Sequence, residues 1–141
     1  MSGSCPFCAY AAGHFTDELI VYEDEDVLVV PCLAQKHQNR GHCLIVTRAH
    51  IPNVYELPEN LAGPVLRSVT TVALASKKAF LADGVSVRQN NEAASGQDVF
   101  HLHFHVVPRF AGDDFETAAY EIVDEQTRIA QAGALRSAWT V

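Results

Sequence analysis

The stretch FHLHFHVV, residues 100–107, sets His101, His103 and His105 at every second position and fills the gaps with Leu102, Phe104 and Val106. Successive side chains of a β-strand point to opposite faces. The alternation therefore predicts a strand over Phe100–Val107, with three histidines on one face and an apolar set on the face that meets the core. At a rise of about 3.3 Å per residue, adjacent histidines stand about 6.6 Å apart and the outer pair about 13 Å. A Zn–N bond is about 2 Å, so three histidines along a regular strand converge poorly on one ion. Nucleophilic chemistry fits them better. A neutral imidazole attacks, leaves and passes protons near neutral pH. One ring can act while its neighbours hold its tautomer, which suits transfer at phosphorus, where a protein mainly positions groups and stabilises charge.

Upstream, short runs rich in Val and Ile at Leu19–Tyr22, Val27–Val30 and His42–Thr47 are bounded by turn residues and predict strands. Asp24–Asp26 reads as a turn, and AQKHQNR as a polar loop. From 59 to 82, Leu61, Val65, Leu66, Val69, Val72, Ala73 and Phe80 recur at helical spacing, with Gly84 just past the end. Val85–Asn91 reads as a further strand and Glu116–Ala132 as a C-terminal helix. Strands in a run, with one long helix between the third and fourth, predict an α+β fold: an antiparallel five-stranded sheet, one long helix and a C-terminal helix. The 141 residues fit one domain, with an N-terminal segment at 1–15 and a C-terminal helix and tail at 113–141.

Hydrophobic residues make up 48% and charged residues 19%, with 10 Lys and Arg against 17 Asp and Glu, a net charge of -7. A grip on long nucleic acid needs a basic face to neutralise phosphates, so that partner is excluded. A single nucleotide is not, because backbone N–H groups can hold its phosphate. No run approaches the ~20 apolar residues of a membrane span. The start, MSGSCPFCAY, lacks the pattern of a secretory signal, so a cytoplasmic chain is expected. Its cysteines Cys5, Cys8, Cys32 and Cys43 are then reduced or bind metal.

The loop NNEAASGQ, Asn90–Gln97, leads into the histidines. Ala93, Ala94, Ser95 and Gly96 are small enough to let backbone approach a ligand, and Asn91 and Gln97 add amide donors. His-Leu-His-Phe-His-Val-Val, this loop, the Gly41-His42 strand and VVPRF together resemble the histidine triad family over roughly residues 5–112. The resemblance implies a homodimer that hydrolyses or transfers nucleotides, with a small nucleotide, a purine nucleotide foremost, as substrate. It implies that His103 attacks the α-phosphorus to form a nucleotidyl-histidine, that His105 orients His103, and that His101 completes the triad. It further implies that Gln97 contacts a phosphate or bridging oxygen, that Asn91, Ser95 and Gly96 serve the phosphate loop, and that His42 sits near the triad. Many members hold the ribose with an acidic residue after the second strand. Here no Asp or Glu lies between Asp26 and Glu56; Cys32 stands near that place, and Gln35, Gln38 or Asn39 are candidates for the ribose. A pocket-bearing binding module without turnover, and a metalloenzyme using the triad directly, are the other classes.

Cys5 and Cys8 are spaced so that both thiolates can reach one Zn²⁺. A redox pair or two reduced cysteines have the same spacing. With His50 and His101 they would complete a structural zinc site, as in family members with this N-terminal pair. Cys32 and Cys43 read as small apolar residues, His14 and His37 as solvent-facing, and Trp139 as a contact to a partner subunit.

Overall fold

Residues 5–140 are described by a computed structural model; Met1–Ser4 of the N-terminal segment and Val141 of the tail lie outside them. Along the chain run α1 (Pro6–Ala11), β1 (Tyr22–Glu23), β2 (Val27–Pro31), β3 (Ala34–Lys36), β4 (Cys43–Thr47), α2 (Glu59–Phe80), β5 (Gly84–Arg88), β6 (His103–Arg109), β7 (Tyr120–Ile122) and α3 (Glu125–Ser137). Five strands form an antiparallel sheet in the order β1-β2-β4-β6-β5. The α+β class, the long helix and the C-terminal helix are as expected. Among the described residues, no helix is long and apolar enough to cross a membrane.

The register explains the layers. Val27, Val29, Cys43, Ile45 and Val106 pack under Val65, Val69, Val72 and Ala75 of α2 and Ala132 and Leu135 of α3. Leu102 and Phe104 continue this face toward Ile51 and Leu61. The alternate residues Val30, Leu44 and Val46 face the other way, against Cys5 and Phe7 of the N-terminal segment. Leu44 pairs with His105 and Val46 with His103, so the histidines stand on that second, thinly covered face.

Several boundaries differ from expectation, each through contacts invisible locally. Leu19 sits in a single 3₁₀ turn (Asp17–Leu19), and the first strand moves to Tyr22–Glu23. Part of the expected AQKHQNR loop is β3, which pairs with β7 in a separate two-stranded ribbon. The expected helix at 116–132 therefore begins only at Glu125, where the Asp124 side chain accepts from the Thr127 N–H and caps it. At the end of α2 the left-handed residue is Leu81 (φ 55°), and Gly84 already belongs to β5. Trp139 stacks on Tyr22 of its own chain, centroids 5.0 Å apart, and is half-buried. Gly41, just before β4, is indispensable: with φ +102°, a Cβ there would lie 2.5 Å from the Phe80 ring.

Candidate active site and metal centre

β6 begins at His103, so His101 precedes the strand and its ring turns elsewhere. Nε2 of His101 lies 2.6 Å from the Thr47 carbonyl oxygen. A carbonyl only accepts, so Nε2 carries the proton and Nδ1 presents a lone pair. That Nδ1 is 3.4 Å from Cys5 Sγ and 3.6 Å from Cys8 Sγ, while His50 Nδ1 is 3.1 Å from Cys8 Sγ. The four donors predicted from the sequence thus converge. Zinc bonds of about 2.0 Å to nitrogen and 2.3 Å to sulfur span tetrahedral S···N edges of about 3.5 Å, and the donors sit at that spacing. The Cys5 sulfur also accepts from the Cys8 N–H and caps α1. Both ring nitrogens of His101 are thus engaged, Nε2 by the Thr47 carbonyl and Nδ1 by the cysteine sulfurs.

The backbone of His101 engages the next histidine. Nδ1 of His103 lies 2.7 Å from the His101 carbonyl oxygen. The proton therefore sits on Nδ1, and Nε2 keeps the free lone pair. The His103 ring is buried at 5% exposure and rests edge-on against Phe7, centroids 4.9 Å apart. Nε2 is 3.7 Å from Asp98 Oδ1. The His105 ring lies against that of His103, centroids 4.9 Å apart. On its other side His105 meets His42, with Nδ1 2.9 Å from His42 Nε2. Burial, then the neighbouring imidazole, pushes His42 down to about 3; burial likewise pushes His105 to about 4. Both are neutral at pH 7. Burial lowers His101 as well, against its hydrogen bond to Thr47.

Two cavities flank these rings. One of about 150 Å³ is lined by His42, Arg88, Asn90, Gly96 and His105. The other, about 300 Å³, is lined by Phe7, Tyr10, Phe15, Leu33 and Val99, with His103 at its wall and Arg128 at its edge. Cys32 and Asp98 line both. The first sets Arg88 opposite Asp98 beside two neutral imidazoles; the second suits a flat apolar ring.

Several expected site residues serve the loop instead. Gln97, 5% exposed, accepts from the Glu92 N–H and donates to the Pro52 and Val99 carbonyls. Its amide is thus engaged within the loop and its surroundings. Asn91 Oδ1 accepts from the Val54 N–H and from Gln89 Nε2. Ser95 Oγ donates to the Asn91 and Glu92 carbonyls. Of the expected phosphate loop, Asn90 and Gly96 reach the cavity. The ribose candidates also move. Gln35 is fully buried and holds Gln131, the Cys32 carbonyl and the Gly41 N–H. Asn39, equally buried, donates to Pro108 O and Asp113, and Gln38 is exposed and lines neither cavity. Cys43 is a core residue, but Cys32 faces the site.

Arg88, Asp98, Phe7 and Tyr10 were not singled out in the sequence. Arg88 pairs directly with His105 across β5 and β6, a register that no local pattern reveals. The aromatics of CPFCAY carried a signal in their closeness to the cysteines, because a metal knuckle fixes what lies between its ligands.

The HIT domain family model matches residues 15–112. Protein hit of Bacillus subtilis is 38% identical over 113 residues, 79% of this chain and 76% of that protein. Adenosine 5'-monophosphoramidase hnt1 of Schizosaccharomyces pombe is 30% identical over 106 residues, 75% of this chain and 74% of that protein. Among solved structures, a Hit-like protein from Bartonella henselae superposes with a TM-score of 0.87 at 32% identity, covering 98% of both chains. A Zn-bound histidine triad family protein from Mycobacterium smegmatis gives 0.81 at 30% identity, covering 98% of this chain and 94% of that one.

Proposed function

Since the chain belongs to the HIT domain family, we propose that it is a nucleotidyl hydrolase or transferase acting at the α-phosphorus of nucleoside phosphoramidates or dinucleoside polyphosphates. The observation that carries this reading is the 2.7 Å contact from His103 Nδ1 to the His101 carbonyl, which leaves Nε2 free at a cavity wall. Nε2 attacks phosphorus, a P–Nε2 bond forms, and the P–N or P–O bond to the leaving group breaks as that group takes up a proton from solvent, a proton that the attacking water later returns. Water then attacks the nucleotidyl-His103, releases the mononucleotide and returns His103 to its starting form. The phosphate sits by Arg88, Asn90 and the Gly96 backbone, with His105 and His42 neutral beside it. The base lies among Phe7, Tyr10, Phe15 and Leu33. The phosphoramidase activity named for the 30%-identical relative favours a P–N substrate.

Cys5, Cys8, His50 and His101 would hold a structural Zn²⁺. Bound there, the ion would tie the N-terminal segment to the strand that bears the nucleophile. The Zn-bound relative supports this, as does the Thr47 carbonyl that fixes the His101 tautomer. A homodimer is supported by the free edge of β5, where Val87 is 47% exposed, and by Leu66 and Leu74 of α2 at 57% and 60%.

Incubation with an AMP phosphoramidate, followed by mass spectrometry of acid-free digests, tests the reading. The expected result is turnover and a nucleotidyl group on His103. Nucleotide binding with neither adduct nor turnover would make the protein a binding module.

A further inference from the structure

Cys32, His42 and His105 are the second group of soft donors among the described residues. One ligand atom from each lies within 4.8 Å of the others. The steps described above give Cys32 no task, although it lines both cavities. Its placement is firm, because the Cys32 N–H donates to the His42 carbonyl at 2.9 Å, which ties the two residues across adjoining chain segments.

The spacing resembles that of the N-terminal donors. Tetrahedral N···N edges around zinc measure about 3.3 Å and S···N edges about 3.5 Å. His42 Nε2 and His105 Nδ1 are 2.9 Å apart, close to such an edge already. The His42 ring, 2% exposed, has no other hydrogen bond: its Nδ1 is buried without a partner among the described residues. A cation taking Nε2 therefore displaces one hydrogen bond and no anchoring carbonyl. His101 differs, since its second nitrogen is held by Thr47. Arg88 lines the same cavity, and a thiolate at Cys32 with Asp98 sets two negative charges against it.

We propose that Cys32, His42 and His105 bind a thiophilic divalent cation, zinc or cadmium, inside the nucleotide pocket and that the bound cation excludes the nucleotide. Binding forms one M–S and two M–N bonds, releases the Cys32 thiol proton to solvent, and leaves a fourth position open to water or an anion. Soft metals choose such a thiolate–imidazole set over carboxylates. The metal half stands on these residues alone; the exclusion half rests on the nucleotide reading above.

The full-length protein, first saturated with one equivalent of zinc, is titrated with cadmium while the thiolate-to-cadmium charge-transfer absorption is followed. Wild type is expected to take up one further equivalent, and adding AMP is expected to weaken that uptake. Cys32→Ser and Cys32→Ala, with circular dichroism showing an intact fold, are expected to lose at least about tenfold in affinity for the added ion, as befits removal of a ligand. Cys8→Ser is expected to keep the site. Unchanged uptake in both Cys32 variants would overturn the metal site. Uptake that needs Cys32 but ignores AMP would overturn exclusion alone, whereas absence of a nucleotidyl-His103 adduct bears on the function and not on this titration.

Discussion

The His103 Nδ1 nitrogen donates to the carbonyl of His101, 2.7 Å away, while the ring of the same His101 aims its own Nδ1 at two cysteine sulfurs. One residue thus links the Cys5–Cys8–His50 donor cluster to His103, by its side chain on one side and its backbone on the other. A carbonyl only accepts, so this contact fixes the His103 tautomer with its proton on Nδ1 and turns Nε2 away from the backbone.

His103→Ala tests that role. Turnover should fall by at least about 10³-fold, as for loss of other nucleophiles. The dissociation constant for AMP should change little, because Phe15, Leu33 and Arg88 remain. Steady-state kinetics with a binding titration on the same preparation would decide; a near-normal rate would remove His103 from the nucleophile's place.

Cys8→Ser should lower the melting temperature of metal-replete protein by about 5 °C or more, since losing a ligand costs several kcal/mol of metal-coupled folding. Activity per folded molecule should fall less, because the His101 carbonyl is also held by its neighbours: the Leu102 N–H bonds Ile51 O. Equal melting curves would count against the structural zinc.

Glu92 occupies φ 72°, ψ 162°, a region open almost only to glycine and costing about 1–3 kcal/mol for other residues. The turn demands it: the Glu92 carbonyl accepts from the N–H groups of Ser95 and Gln97, while its own N–H is held by Gln97 Oε1. Glu92→Gly should therefore stabilise by about 1 kcal/mol, after the extra entropy of an unfolded glycine is subtracted. A higher urea midpoint at unchanged slope would show it, and a lower midpoint would refute it.

Asp113 supplies a pH dependence. The Arg109 guanidinium, bound at 2.8 Å to each carboxylate oxygen, with the N–H groups of Phe110 and Phe115 and Asn39 Nδ2, holds its carboxyl far below the usual 3.8. A depressed carboxylate stabilises the fold above its unfolded pKa and loses that contribution as pH falls toward its folded one. Wild-type stability should thus decline below about pH 4. In Asp113→Asn the melting temperature should be lower at pH 7 and fall less steeply between pH 4 and pH 2. Parallel curves for the two proteins would exclude the effect.

Local patterning carried much of this protein. Period two placed Leu102, Phe104 and Val106 toward the core and His103 and His105 away from it, because strand alternation is a property of the backbone alone. Helical spacing marked α2 almost to its ends, and Cys5, Cys8, His50 and His101 were named as a set. Tertiary structure decided the rest, wherever the deciding partner lies far along the chain. β3 and β7 are three-residue strands that exist only as a pair, with the partners Gln35 and Glu121 86 residues apart by sequence number. Gln35 and Gln97 resembled ligand-binding amides until Gln131 and the Pro52 carbonyl claimed them. Cys32 resembled a small apolar residue until the fold carried it to His42 and His105. A polar side chain binds whatever the finished fold brings within about 3 Å, and a sequence lists the donors without saying which ones meet.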